Sequence, residues 1–217
     1  MDLEQARFNM IEQQIRPWEV LDEAVLGLLQ RVPREEYVPE VYRNMAFMDI
    51  EIPLGQGEAM LSPKMEARLL QELKLKPSDK VLEVGTGSGY MTALLASQAG
   101  HVHSVEIIPE FTAAAQQKLT AHGFRNLTLE VGDAACGWPQ HAPYDVILLT
   151  GSVPVLAAAW FAQLKPGGRL IALVGVAPAM AARRINVLEP GVQISQDLFE
   201  TNVRALKNAP QPEQFVF

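Results

Sequence analysis

From Lys80 onward, short apolar runs alternate with longer amphipathic stretches, and that alternation predicts a parallel sheet covered by helices. Strands are expected over 81–85, 101–107, 127–131, 144–150 and 169–175. Helices are expected over 89–99, 110–122 and 152–164, the last started by Ser152, with Leu156, Trp160 and Leu164 on one face. A run such as Val146-Ile147-Leu148-Leu149 has no polar side, as befits a strand buried on both faces. Lys165-Pro166-Gly167-Gly168 reads as a loop before the fifth strand. Beyond Ile185 the pieces become shorter and more polar, and Ile185–Leu188 with Leu198–Val203 read as a closing hairpin.

The first sixty residues follow a helical period instead. Leu3, Ala6, Met10 and Ile15 fit one stripe, and Leu21, Val25, Leu28 and Leu29 fit a second, with Pro17 between them and Val32-Pro33 at the end. Ile52-Pro53-Leu54-Gly55-Gln56-Gly57 reads as a loop of breakers. Ser62-Pro63 is then an N-cap followed by proline at the first helical position, and Met65, Leu69, Leu70 and Leu73 form the buried face of that helix.

Composition narrows the class. A chain of 217 residues with 48% hydrophobic content can bury the core of one compact domain. The net charge of −7 argues against nonspecific nucleic-acid binding. Arg183-Arg184, the one adjacent basic pair, reads as solvated surface. No apolar run approaches the ~20 residues of a membrane-spanning helix. The start, Met1-Asp2-Leu3-Glu4-Gln5, lacks the features of a signal peptide. The lone Cys136 precludes an internal disulfide, and with these features it points to the cytoplasm.

The candidate chemistry sits in Val81-Leu82-Glu83-Val84-Gly85-Thr86-Gly87-Ser88-Gly89, where a buried strand turns through glycines into a helix. Such a turn seats nucleotide-like ligands. The third glycine of a dinucleotide fingerprint would fall at Tyr90, and no Gly-Lys-Ser/Thr of a phosphate loop follows. A carboxylate at Glu83 would repel a pyrophosphate but attract an ammonium group. The spacing therefore favours S-adenosyl-L-methionine, which has an ammonium, a sulfonium and no phosphate. Glu106 ends the second strand, 21 residues past Gly85, where an acid can accept both ribose hydroxyls. Asp133 follows the third strand and is placed to accept from an adenine amino group.

Other candidates are read as structural. His101 and His103 share a strand face but lack a third ligand, so no metal site is expected. His122 and His141 read as solvated loop residues. Trp138 reads as a packing residue beside the adenine loop, and Tyr90 as either core or cofactor lid.

With these pieces in hand, the chain resembles the protein-L-isoaspartate O-methyltransferase family over about residues 10–175. The resemblance rests on Val32-Pro33-Arg34-Glu35-Glu36-Tyr37-Val38-Pro39, Ile52–Gly57, Val81–Tyr90, Gly132-Asp133, Gly137-Trp138-Pro139, Ala142-Pro143-Tyr144-Asp145 and Gln163–Leu170. It implies a Rossmann-like class I methyltransferase fold: a seven-stranded, mostly parallel sheet with helices on both faces and an N-terminal helical extension. Residues 1–60 would then be the helical segment and acceptor-side loop, and 61–217 the cofactor-binding domain, in one compact unit. Glu83, Gly85, Thr86, Gly87, Ser88, Gly89, Glu106, Ile107, Asp133 and Ala134 would contact the cofactor, whose product form is S-adenosyl-L-homocysteine. The resemblance implies carboxyl methylation of L-isoaspartyl residues in damaged proteins. Where the family carries Thr-Ile-Ser-Gln-Pro, this chain has Ala59-Met60-Leu61-Ser62-Pro63, so Ser62 and Gln56 stand as the catalytic candidates. Two alternatives follow from that departure: methyl transfer to another protein group or a small molecule, and cofactor binding without turnover.

Overall fold

The computed structural model describes residues 2–212. Its centre is a seven-stranded sheet built from β3 (Lys80–Val84), β4 (His101–Glu106), β5 (Leu127–Val131), β6 (Tyr144–Val153), β7 (Leu164–Val176), β8 (Ala179–Glu189) and β9 (Val192–Thr201), after a small hairpin of β1 (Ile52–Gly55) and β2 (Glu58–Met60). The strand order is β5-β4-β3-β6-β7-β8-β9. The pairings from β5 to β7 are parallel, and β8 and β9 close the sheet antiparallel. The expected mostly parallel seven-stranded sheet is what forms. Strand order reverses at β3, whose successors β4 and β6 lie on its opposite sides, so the loops after these parallel strands diverge and leave a crevice at their C-terminal ends.

Helices α3 (Pro63–Leu73), α4 (Tyr90–Ala96), α5 (Pro109–Ala121) and α6 (Ala158–Ala162) flank the sheet. Two apolar clusters result. One joins Leu69, Leu94 and Val102 to the N-terminal segment, and the other joins Ile147 and Leu170 to Trp160. In the N-terminal segment α1 (Leu3–Met10) continues as a wider π-helical turn over Ile11–Ile15, and α2 (Glu23–Arg31) follows. Met10, Ile15, Val25, Leu28 and Leu29 are buried as the helical period requires, whereas Leu21 is exposed because it precedes α2.

Four expectations change. The breaker-rich segment 52–57 is no loop: its glycines form the turn of the β1–β2 hairpin, where Gly55, Gln56 and Gly57 all have positive φ. Ser152 caps no helix. It extends β6, its amide donates to the Arg204 carbonyl at 2.8 Å, and helix begins only at Ala158. Lys165–Gly168 belongs to β7, entered through a register irregularity opposite β6. The C-terminal hairpin is longer than expected because β8 pairs with both β7 and β9, and that pairing compensates for the polar residues on its exposed side.

One ion pair ties the N-terminal segment to this frame. Arg34 is 1% exposed. Its guanidinium donates to the Ala46 carbonyl at 2.8 Å, to the Leu61 carbonyl at 2.7 Å, and to the Glu66 carboxylate on α3. Removing one partner of a buried pair strands the other charge, at a cost of about 3–5 kcal/mol. R34M is therefore expected to lose about that much stability in urea unfolding. R34M/E66Q should be less destabilised than the sum of its single variants, and strict additivity would count against the pairing.

Candidate functional site

A cavity opens where the C-terminal ends of β3, β4, β5 and β6 meet the β1–β2 hairpin and the segment after β9. Its floor is the glycine turn. A Cβ on Gly85, whose φ is +94°, would collide with the Thr150 hydroxyl. That hydroxyl donates toward the Val84 and Gly85 carbonyls at 2.8 Å, so β6 clamps the turn through Thr150.

Gly85, Gly87, Glu106, Ile107, Asp133 and Ala134 all line this cavity. The Glu106 carboxylate is pinned at the end of β4. It accepts from the Gly87 amide at 2.9 Å and from the Ile108 amide at 3.0 Å. A carboxylate has about four lone-pair positions, so two remain for a ligand. Asp133 is exposed; it accepts from the Ala135 amide at 3.0 Å and from the Asn208 side-chain amide at 2.8 Å. Thr86 and Ser88 face a smaller adjoining cavity beside the glycine turn. Gly89 lines neither cavity and packs its backbone against Ala115 on α5.

Glu83 occupies a different place from the one its sequence position suggested. It is fully buried beneath the turn and lines neither cavity. Its Oε2 accepts from Thr92 at 2.5 Å and from Ser104 at 2.6 Å, and Ser104 in turn contacts Thr86. Desolvation raises its carboxyl to about 8, against the effect of those two hydroxyls, so it is largely uncharged at neutral pH. Glu83 thus lies beneath the turn and supports it through the Thr92, Ser104 and Thr86 hydroxyls. The acid that reaches the smaller cavity is Glu66, paired with Arg34.

Neither catalytic candidate is on a cavity wall. Ser62 is buried at the start of α3 with no side-chain capping bond, and Gln56 sits on the exposed hairpin turn, 3.5 Å from Glu110. Leu61, between them, lines both cavities. The segment 204–207 supplies wall residues that the sequence did not signal, because its position depends on the isolated bridge between Ser152 and Ala205. Arg204 donates to the Gly57 carbonyl at 2.8 Å, and Lys207 pairs with Glu58 at 3.3 Å. The walls thus carry Glu51, Glu58, Glu106 and Asp133 against Arg204 and Lys207. That excess of negative charge suits a cationic ligand and opposes a pyrophosphate.

Tyr90 is core: it is fully buried, its ring lies under Arg34, and burial raises its phenol. His101 and His103 do share a face of β4, their rings 4.7 Å apart. His141 is not simply solvated, for it stacks on His103 at 4.2 Å. Burial, aided by the two neighbouring imidazoles, lowers His103 to about 4.

The raised Glu83 carboxyl has a consequence for stability. A proton is bound more tightly in the folded chain than in the unfolded one, whose carboxyl titrates near its ordinary value of about 4.3. The favourable contribution is complete below that value and declines as pH rises towards about 8. E83Q is expected to flatten the decline, gaining on the parent by at most about 1.4 kcal/mol per pH unit. Unfolding midpoints from pH 5 to 9 provide the check, and parallel profiles for the two proteins would contradict it.

The family model described as protein-L-isoaspartate(D-aspartate) O-methyltransferase matches residues 5–201. A protein-L-isoaspartate O-methyltransferase 1 of Anaeromyxobacter sp. (strain Fw109-5) is 42% identical over 193 residues, covering 88% of this chain and 91% of that one. A protein-L-isoaspartate O-methyltransferase of Synechococcus sp. (strain JA-2-3B'a(2-13)) is 37% identical over 97% of this chain and 84% of that one. A solved protein-L-isoaspartate O-methyltransferase superposes with a TM-score of 0.76 at 24% identity, covering 95% of this chain and 66% of that one. A putative protein-L-isoaspartate O-methyltransferase from Plasmodium falciparum, solved with S-adenosyl-L-homocysteine, gives a TM-score of 0.77 at 18% identity, over 95% and 99% of the two chains. At these identities the two structures speak for the fold.

Proposed function

The chain belongs to the protein-L-isoaspartate(D-aspartate) O-methyltransferase family, and from that premise we propose that it methylates the free carboxylate of L-isoaspartyl residues in damaged proteins, with S-adenosyl-L-methionine as donor. The observation that carries the reading is the cavity at the strand ends: acidic on balance, floored by a glycine turn, and built without the lysine of a phosphate loop. The donor supplies an electrophilic methyl on a positively charged sulfur. Glu106 is the residue to hold the ribose hydroxyls, because its two free lone-pair positions face the cavity while backbone amides fix the other two. Asp133 would meet the adenine amino group, sharing that role with or exchanging Asn208. Thr86 and Ser88 are placed for the amino-acid end.

The acceptor side asks for little acid–base chemistry. A carboxylate with a pKa near 4 is already ionised at pH 7, so positioning and water exclusion remain as the tasks of the protein. Arg204 is the side chain we assign to attracting the acceptor carboxylate. It lies where the main cavity joins a second cavity lined by Ser152, Gly175, Met180 and Asn202, a course along which a peptide can enter. Leu61 contributes an apolar wall, and Arg34 fixes its carbonyl from behind. Ser62 and Gln56 have no part in this arrangement. The bound partner is thus a protein or peptide. Among the described residues no helix is long and apolar enough to cross a membrane.

Two measurements test the reading. Labelled methyl is expected to pass to an isoaspartyl peptide and not to its aspartyl isomer, and absence of transfer with homocysteine-form binding intact would reject the acceptor. R204Q is expected to raise KM for the peptide by roughly 10- to 100-fold, the worth of a charge-assisted hydrogen bond, with a smaller change in kcat. For the donor, E106Q should weaken S-adenosyl-L-homocysteine binding by roughly tenfold or more in calorimetry. Unaltered affinity would remove Glu106 from the ribose site.

A further inference from the structure

We propose that His103, Glu130 and His141 form a binding site for one divalent metal ion of the zinc class. The three come from β4, β5 and the short 3-10 turn Pro139–His141, and their ligand atoms all lie within 4.8 Å of one another. Two observations point to a missing partner. The Nδ1 of His103 is buried without a hydrogen-bond partner, on a side chain only 8% exposed. The Nε2 of His141 is likewise buried and unpartnered: it stands 2.9 Å from Glu130 Oε2 but is not aligned for a hydrogen bond.

Leaving such a group unsatisfied is costly. A cation accepting both nitrogen lone pairs and the carboxylate satisfies all three together. Two imidazoles and one carboxylate make a borderline donor set that suits zinc and leaves a fourth position for water. The surroundings also fit. Trp138 donates its indole N–H to Glu130 Oε2 at 3.0 Å, orienting the carboxylate from outside. Lys80 holds the His141 carbonyl at 2.7 Å. His101, whose Nε2 contacts the Thr128 hydroxyl at 2.9 Å, is outside this group of three.

Coordination requires one movement. The His103 and His141 rings are stacked within 15° of parallel, so their lone pairs cannot converge as they stand. His103 is fixed in the sheet, whereas His141 lies on a short turn and is 35% exposed, so its ring is the one to rotate.

The site also has a route to the main cavity. Glu130 and His141 bracket the segment that carries Asp133, Ala134 and Ala135, three residues of the cavity wall. Inside that segment Trp138 lies so close over Gly132 that a Cβ there would collide with the indole. An ion joining the two ends restrains the wall, so metal and cofactor should strengthen each other's binding reciprocally. This coupling rests on the cofactor reading above; the metal site itself does not.

The test uses the untagged full chain, stripped of metal with chelator and dialysed. Titration with zinc chloride in a calorimeter is expected to show one equivalent bound with a dissociation constant tighter than about 10 µM, or about −7 kcal/mol. Cobalt(II) should give the visible absorption of a four-coordinate ion. H141A and E130Q are each expected to weaken binding by at least roughly tenfold (about 1.4 kcal/mol), with unfolding transitions reported alongside. H122A, at a histidine paired with Glu36 elsewhere, should bind as the parent does. No uptake by the parent, parent-like uptake by H141A, or loss in H122A alone would each overturn the site. H141A decides the matter even if E130Q fails to fold. Unchanged S-adenosyl-L-homocysteine affinity in the zinc-loaded chain would overturn the coupling.

Discussion

The side of the cavity formed by the N-terminal segment depends on one buried cation. The Arg34 guanidinium sits behind the loop that carries Leu61, and it reaches simultaneously the carbonyls of Ala46 and Leu61 and the Glu66 carboxylate. The Tyr90 ring lies against it, 5.1 Å from centroid to guanidinium carbon, at the start of α4. Burial lowers the guanidinium to about 10, which still leaves it charged at neutral pH. A charge so placed must keep every partner, because nothing else can replace the lost hydration. The loop, α3 and the entry to α4 are therefore fixed relative to one another by electrostatics, and apolar packing alone would allow them to slide.

Acids in this structure divide by what lies around them. Glu106 and Glu83 lie close together at the glycine turn and have opposite fates. Glu106, at a strand end, is met by two backbone amides and opens on the cavity. Glu83, inside the strand, is met by two hydroxyls and no cation, and becomes a neutral strut. The same residue type thus serves as a ligand acceptor or as a structural support according to the number of amides and the access of solvent.

What could be read from the sequence follows from this distinction. The alternation of strands and helices, the glycine turn, and Glu106 and Asp133 at successive strand ends are local patterns, and all lie where spacing placed them. For Glu83, alternation gives the position in the strand but not whether the turn above it leaves an opening. Ser152 carried the signature of a helix cap, yet its backbone is claimed by Arg204 and Leu206, more than fifty residues away. Arg204, Lys207 and Asn208 are silent in the sequence for the same reason: the first two reach the cavity, and Asn208 the Asp133 carboxylate, only through that bridge. The partners of His103 in its cluster cannot be read from the sequence, since Glu130 and His141 come from separate elements.

The departure at Leu61 bears on how one cavity can serve a cationic donor and an anionic acceptor. A wall acidic throughout would hold the first and repel the second. In this chain Lys207 is paired with Glu58, so that carboxylate is offset, while Glu106 and Asp133 remain at the far wall. Arg204 stands on the acceptor side with its guanidinium anchored to a carbonyl, a contact that leaves its charge unneutralised. On the reading proposed above, the field grades from Glu106 and Asp133 toward the Arg204 guanidinium, which shares its wall with Glu51, and this gradient would draw an incoming carboxylate toward Arg204. Orientation by such a gradient does not need a hydroxyl at position 61. It needs a dry wall there, which a leucine provides.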